Sequence, residues 1–343
     1  MPISMLVEDP GAANFAAGML GVLEEYGAVS VHASGAGATQ LAQHGVSFQL
    51  LDDPFDARRF LERAKPSLVV LGTSEDADAA AHELVGACRE ARIATLGIID
   101  GPANTERRFC GVGKEPLEFA PDRIFVPASA VRDKLVDLGC SEDRIDVVTH
   151  PHFLAVAELR GRLAGEGRDA LRERLIPEAG DRPVLVFLAE RSDGLDPDQF
   201  RRSPEYTLVG RGGEQRRTNI VLEEVLDSVG RAGSKPYIVL RLHPKSDVDE
   251  FAPYQTEFDM VSREENALEL CFCADIVVGL TTILLAEAST LGTSVLSVVP
   301  REAEREWLLD APTGPIPCVW KRYALDCALR EALSSHAYQP LPK

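Results

Sequence analysis

The residues ISMLV (3–7), EDPGAAN (8–14), FAAGMLGVLEEY (15–26) and VSVH (29–32) open the chain and decide its fold. Two short apolar runs flank a segment of helical length, and small residues separate the first run from that segment. A strand that is buried on both faces has a nearly continuous apolar run, as the strands of parallel sheets do. The stretch therefore predicts a strand–helix–strand unit with parallel strands.

The same alternation continues along the chain. In the first half, strands are predicted at 3–7, 29–32, 46–50, 68–71, 94–99, 123–126 and 145–148, with helices at 15–26, 38–43, 57–64, 77–92 and 128–138. In the second half, strands are predicted at 184–188, 237–242, 276–279 and 294–298, with helices at 220–231, 265–272 and 283–291. Helices between buried strands are typical of doubly wound α/β sheets. We therefore expect two Rossmann-like domains that face one cleft.

The boundary between the domains is predicted from a change in composition. Residues 153–180 are rich in Arg, Glu, Ala and Leu and end near Pro177, which is typical of a polar helical linker. We expect an N-terminal domain over 1–152, this linker, and a C-terminal domain over 181–343. A last helix over 323–333 could pack against either domain. Residues 190–216 predict a long active-site loop, because structureless segments of that length are usually functional or disordered.

The composition excludes several classes of protein. The 343 residues include 36 Lys and Arg against 54 Asp and Glu, a formal net charge of −18 at pH 7. The pI is near 4.9. A hydrophobic fraction of 45% is that of a globular chain. Nucleic acid is not an expected partner because phosphate backbones need a basic surface, whereas a local pocket can still bind a small anion.

Secretion, membrane insertion and metal binding are not predicted. The N-terminus has no basic region before its first apolar run, and polar residues interrupt the most apolar stretch, 274–299. The seven cysteines (88, 110, 140, 271, 273, 318 and 327) lack the paired spacing of zinc sites. Free thiols in a reducing cytoplasm are therefore expected, with no metal. The sequence does not indicate an oligomeric state.

Candidate residues of the first half lie where predicted strands end, since ligands of these folds bind there. The turn 8–14 offers Asp9, Gly11 and Asn14 as a ligand loop, or as a tight turn with Asn14 capping the helix. Asp100, followed by Gly101, can accept a proton from an acceptor hydroxyl or simply stabilise a turn. The other candidates expected on this acceptor side of the cleft are Asn104, Arg108, His150, His152, Glu190 and Arg191.

A positive cluster is predicted in the second half. Arg241, His243 and Lys245 follow one another at the end of the strand 237–242. In an acidic chain, this local charge favours a phosphate site over a solvated basic edge.

A second phosphate-binding element is predicted at the helix 283–291. Thr281 and Thr282 precede it, and free backbone amides with two hydroxyls at a helix start favour an anion. A simple N-cap explains one threonine but not both. Glu287 lies between apolar residues of the same helix and could accept a hydrogen bond from a sugar hydroxyl.

The order of these motifs resembles glycosyltransferases of the GT-B fold, most nearly the bacterial sialyltransferase and polysialyltransferase type that uses CMP-activated sugars. Asp100-Gly101, His243-Pro244 and Thr281-Thr282 match the acidic, His-Pro and paired-hydroxyl motifs of that family. The chain departs from the pattern at Ile99, where the family has an acidic residue, and in having Thr-Thr rather than Ser-Ser.

Two wider resemblances use other residues. The segments 121–127, 131–135 and 151–153 resemble the broader GT-B group, which includes UDP-GlcNAc 2-epimerases and nucleotide-sugar hydrolases. The string Asp100, Asn104, Arg108 and Phe109 resembles bacterial carbohydrate-biosynthesis proteins.

The resemblance implies metal-independent transfer of a sugar from a CMP- or UDP-sugar to a small-molecule or glycan acceptor. It implies that Asp100 is the base, that His243 contacts or protonates the leaving phosphate, and that Thr281 and Thr282 hold that phosphate. The nucleotide sugar is a co-substrate, and no cofactor is expected. One alternative is a nucleotide-sugar epimerase or hydrolase that needs no acceptor. The other is a non-catalytic protein that binds a nucleotide or sugar.

Overall fold

The chain divides into two compact units, Met1–Ala155 and Val156–Lys343. The computed structural model describes residues 1–113, 115–191, 200–244 and 246–334. Each unit contains one sheet in which every pair of strands is parallel. The predicted class, two doubly wound Rossmann-like domains, is therefore confirmed for the units taken separately.

The first unit has a seven-stranded sheet. Its strands are β1 Ile3–Val7, β2 Val29–Ala33, β3 Gln49–Leu50, β4 Leu68–Gly72, β5 Ala94–Ile98, β6 Arg123–Val126 and β7 Ile145–Val147. Its helices are α1 Pro10–Glu24, α2 Gly35–Gln43, α3 Ala57–Ala64, α4 Ala80–Ala91 and α5 Ser129–Asp137, and α6 His152–Glu166 crosses the boundary between the units. The strand order is β3-β2-β1-β4-β5-β6-β7, so the chain reverses direction across the sheet between β1 and β4.

The second unit repeats this design with six strands. These are β8 Val184–Leu188, β9 Tyr237–Arg241, β10 Met260–Ser262, β11 Ile276–Gly279, β12 Val295–Val298 and β13 Cys318–Val319. The helices are α7 Arg168–Leu175, α8 Arg217–Ala232, α9 Ala267–Cys273, α10 Ile283–Thr290 and α11 Arg322–Ser334. The order β10-β9-β8-β11-β12-β13 puts the reversal between β8 and β11.

The central strands are apolar because they are covered on both faces. Every residue of β1 and of β8 is buried, which accounts for the continuous apolar runs in the sequence. The last helix, α11, packs on α8 and contributes Leu325, Leu329 and Leu333 to the core of the second unit. Arg231 of α8 pairs with Asp326 of α11 at 2.8 Å.

Several elements differ from the sequence prediction. The strand predicted at 46–50 is reduced to β3, and the short strands β10 and β13 were not predicted. The stretch 153–180 contains α6 and α7, and residues 200–216 contain neither helix nor named strand. Among the described residues, no helix is both long and apolar enough to cross a membrane.

Asn14 is not a helix cap, contrary to one prediction. α1 begins at Pro10, with Asp9 as its N-cap residue. Proline fits the first turn because its fixed φ is helical and its missing N–H would have no helical partner there. Asn14 is therefore one turn inside the helix, where it is buried.

Candidate functional site

A partly buried ion pair lies at the strand ends of the first unit, close to its topological reversal. Asp100, just after β5, accepts a hydrogen bond from Arg108 at 3.1 Å. The same guanidinium nitrogen donates to the carbonyl of Thr73, just after β4, at 3.2 Å. Burial alone would lower the pKa of Arg108, but the carboxylates around it outweigh that effect and raise it. The guanidinium is therefore a fixed positive charge that orients Asp100.

Gly11 allows this carboxylate to lie against the first turn of α1. A Cβ atom built on Gly11 would be 1.6 Å from Asp100 Oδ2. A residue with a side chain fits at position 11 only if the Asp100 carboxylate moves. The turn 8–14 and Asp100, chosen independently from the sequence, therefore meet in space.

Glu75 belongs to the same group, although the sequence analysis did not select it. Its carboxylate accepts a short hydrogen bond from the amide of Asn104. Burial raises the pKa of Glu75, and Arg108 and the Asn104 amide only partly oppose that rise. Asn104 adopts a left-handed backbone, with φ 54°, a conformation that asparagine tolerates better than most residues. Two carboxylates in different environments thus flank one guanidinium, an arrangement suited to acid–base chemistry.

The neighbouring Glu8 has a structural partner instead. Its two carboxylate oxygens accept the backbone amides of Ala80 and Ala81, each at 3.1 Å, and so cap the start of α4. Burial raises the pKa of Glu8, and these two hydrogen bonds oppose the rise. Glu8 therefore ties β1 to α4 and helps to position the loop that carries Asp9.

The predicted histidines form a separate buried cluster around α1. Asn14 Oδ1 accepts a hydrogen bond from Gln40 at 2.9 Å and lies 2.7 Å from His44 Nε2. His44 packs against His152, with ring centroids 5.5 Å apart. His150 contacts the rings of Phe15 and Phe153, so its surroundings are apolar. Burial, with the charge of His152 adding to it, lowers the pKa of His150 to about 3.

In the second unit, the side chain of Glu190 occupies the phosphate-binding element that was predicted at the start of α10. Its Oε1 accepts the backbone amides of Thr281 at 2.5 Å and Thr282 at 2.6 Å. The hydroxyl of Thr281 donates to Oε2 at 3.1 Å. The expectation that these amides are free is therefore wrong, because β8 and β11 are neighbours in the sheet and Glu190, two residues after β8, reaches them. Thr282 is also the predicted N-cap, since its hydroxyl accepts the amide of Leu284.

Arg217 completes this arrangement and was not predicted. Its side chain is fully buried, and it donates to Glu190 at 2.9 Å, to Glu304 at 2.6 Å and to Thr281 Oγ1 at 3.2 Å. Burial alone would lower the pKa of Arg217, and the two carboxylates reverse that effect and raise it. The start of α10 is therefore lined by a permanent cation as well as by helix amides.

Two residues of the predicted positive cluster, Arg241 and His243, lie within the described part of the chain. Arg241 donates to Ser262 Oγ at 2.9 Å and to the carbonyl of Glu265 at 2.7 Å, so it braces β9 against β10 and the loop after it. Burial lowers the pKa of Arg241. His243 lies just after β9 and is half-buried. Lys245 lies outside the described residues.

Glu287 lies on α10, as predicted, and is 4% exposed. Its charge adds to the effect of burial, which raises the pKa of the neighbouring Cys271. Arg191, at the end of the described segment after β8, is exposed.

Most of the residues predicted for the acceptor side fall into two groups. Asp9, Gly11, Asp100, Asn104 and Arg108 meet at one edge of the first sheet, whereas Asn14, His150 and His152 form the histidine cluster. Glu190 was expected on the acceptor side with the first group, but its hydrogen bonds are to Thr281 and Thr282 of the second unit.

Three functional candidates escaped the sequence analysis, namely Glu75, Arg217 and Glu304. Glu75 follows β4 by three residues, and the strand-end rule applied there would have found it. Arg217 and Glu304 are 87 residues apart and have no local motif. Within the described residues, no group of three or more His, Cys, Asp or Glu side chains is arranged to hold a metal.

Comparison with protein-family models and with curated proteins gives no match. Solved structures do match. The UDP-GlcNAc 2-epimerase of Methanocaldococcus jannaschii, in complex with UDP-GlcNAc and UDP, is 12% identical with a TM-score of 0.65, covering 100% of this chain and 96% of that one. The UDP-GlcNAc 2-epimerase of Neisseria meningitidis, bound to UDP-GlcNAc, is 13% identical with a TM-score of 0.60 (99% and 95%). Anabaena Alr3699/HepE, in complex with UDP and glucose, is 13% identical with a TM-score of 0.60 (97% and 90%).

At these identities the likeness shows the fold alone: two Rossmann-like α/β domains of the GT-B type. The wider resemblance to the GT-B group, which included UDP-GlcNAc 2-epimerases, is supported. The nearer resemblance to the sialyltransferase type is not.

Proposed function

We propose that the chain is an enzyme that epimerises a UDP-sugar without an acceptor. The observation that carries this proposal is the likeness of fold, along the whole chain, to solved UDP-GlcNAc 2-epimerases. The transferase activity favoured by the sequence motifs has less support, because two of the three similar structures named above are UDP-GlcNAc 2-epimerases.

The first unit supplies the acid and the base. Inverting C2 of the sugar requires one group to remove its proton as the C1–O bond to UDP breaks, so that the electron pair forms a C1=C2 double bond. A second group then returns a proton to the other face of C2 while UDP adds back to C1. Asp100, held by Arg108 at 3.1 Å, is the candidate base. Glu75 is the candidate acid because burial raises its pKa and favours the protonated carboxyl.

The second unit supplies the nucleotide site. The amides of Thr281 and Thr282 at the start of α10 and the buried guanidinium of Arg217 already surround one carboxylate. The same donors suit a phosphate oxygen. Glu287, in the next turn of α10, is the candidate partner for a ribose hydroxyl.

The test is to incubate the protein with UDP-GlcNAc alone and to identify the products by NMR. We expect the 2-epimer, with Asp100→Asn and Glu75→Gln each lowering turnover by about 10²–10⁴-fold while UDP binding by calorimetry is retained. The control is Asp133→Asn, because Asp133 pairs with Arg132 at 2.8 Å on the exposed surface. Absence of any product from UDP-, CMP- and GDP-sugars would refute the proposal. Turnover that is retained in both variants would refute the assigned acid and base.

Glycosyl transfer remains the second candidate function, supported by the order of the Asp100-Gly101 and His243-Pro244 motifs. In that case Asp100 deprotonates an acceptor hydroxyl, and the nucleotide sugar is consumed only when an acceptor is present. Binding of UDP without turnover in either assay would instead favour the non-catalytic alternative.

A further inference from the structure

The side chain of Glu190 lies among hydrogen-bond donors of the kind that form an anion-binding site. Its carboxylate accepts two backbone amides and one hydroxyl and pairs with Arg217 at 2.9 Å. The Glu190 side chain is 14% exposed. A phosphate oxygen bound at the start of α10 would need the same donors, and two anions cannot share them at hydrogen-bond distance.

We propose that Glu190 is an internal competitor that sets the affinity of the second unit for phosphate. A nucleotide diphosphate binds the start of α10 only when the Glu190 carboxylate leaves it. The inference rests on the proposed function, since it takes the phosphate of a nucleotide sugar as the ligand.

Arg217 makes such an exchange of partners feasible. When Glu190 leaves, the buried guanidinium keeps Glu304 at 2.6 Å, so it retains one carboxylate partner. The incoming phosphate then takes the place of the other carboxylate. The buried cation of Arg217 is therefore paired with two anions in both states.

Glu304 differs from Glu190 in a way that explains why only Glu190 is the competitor. Glu304 is fully buried and bonds Arg217 and Arg301. Within the part of the chain that the structure describes, these partners of Glu304 do not include the amides at the start of α10. Glu190 accepts both amides there and lies two residues after β8, the strand beside β11.

The experiment titrates UDP and inorganic pyrophosphate by calorimetry into the wild type, Glu190→Ala and Glu190→Gln. Glu190→Ala removes the carboxylate from the start of α10, so this variant should bind both anions at least tenfold more tightly than the wild type. Glu190→Gln removes the charge but keeps a similar shape, and it should also bind both anions more tightly than the wild type. It provides the test if the alanine variant does not fold. Glu205→Gln is the control, because it removes one exposed carboxylate that pairs with Arg301, and its affinities should equal those of the wild type.

The outcomes separate this inference from the proposed function. Affinities that stay equal or fall in a folded Glu190 variant overturn the inference, because Glu190 is then a structural clamp. Lack of binding of either anion to folded Glu190→Ala overturns it as well. Tighter binding of pyrophosphate, with no added affinity from the nucleoside of UDP, supports the competitor but contradicts the UDP-sugar assignment. Equal binding of UDP by all variants contradicts the competitor alone.

Discussion

The contact between Gly11 and Asp100 gives the sharpest test of the first-unit site. In Gly11→Ala, the added Cβ would lie 1.6 Å from Asp100 Oδ2, whereas an ordinary contact is about 3.5–4 Å. The carboxylate must therefore move by about 2 Å. Such a shift breaks its hydrogen bond with Arg108, which is 3.1 Å long and joins side chains that are 10% and 19% exposed.

The expected magnitudes follow from that displacement. A hydrogen bond between charged groups contributes about 1.5–3 kcal/mol, so the free energy of unfolding should fall by about 1–3 kcal/mol in urea titrations. Turnover of UDP-GlcNAc should fall by about 100-fold, because misplacing a reacting group by 1 Å can cost that much.

Gly21→Ala provides a matched control on the same helix, since a Cβ there meets nothing within 4 Å. It should leave turnover unchanged and stabilise the fold by about 0.5–1 kcal/mol. In an Asp100→Ala background, the loss of stability from Gly11→Ala should largely disappear, because the clashing carboxylate is gone. If Gly11→Ala matches Gly21→Ala in both stability and turnover, the close approach of Gly11 and Asp100 is wrong.

Two further predictions concern buried charges. Burial and the charge of His152 lower the pKa of His150 from 6.5 to about 3, so below pH 6.5 the unfolded chain binds a proton that the folded chain does not. Through His150 the free energy of unfolding should fall by about 2 kcal/mol between pH 7.5 and pH 5. His150→Leu should remove that part of the pH dependence. If the free energy of unfolding of this variant depends on pH as in the wild type, the prediction is contradicted. Arg217→Met removes a fully buried guanidinium that pairs with Glu190 and Glu304 and should destabilise the protein by about 3–5 kcal/mol. Arg211→Met removes an exposed arginine that also has two acidic partners and should cost less than about 1 kcal/mol per pair. Equal unfolding midpoints for these two variants would refute the role of Arg217.

The fold was predictable because burial on both faces leaves a local record in the sequence. The runs at 3–7 and 184–188 are continuous and apolar, and they form the central strands β1 and β8. The edge strands β10 and β13 have only three and two residues. Runs of that length carry no periodicity, which is why the sequence did not predict them.

The candidate site was less predictable because it depends on which strands are neighbours. Strand-end reasoning selected Asp100 and Thr281 from their own surroundings. It could not foresee that β8 lies beside β11 and brings Glu190 to the amides before α10. Nor could it find Arg217, which bonds Glu304 across 87 residues.

The proposed epimerase removes and returns a proton on a UDP-sugar without an acceptor. Incubation of UDP-GlcNAc with the protein in D₂O, followed by proton NMR of the sugar, tests it most directly. We expect the 2-epimer with deuterium at the inverted carbon, and no incorporation with Asp100→Asn. UDP-GlcNAc that stays unchanged alone but is consumed once an acceptor sugar is added would contradict epimerisation and establish transfer instead.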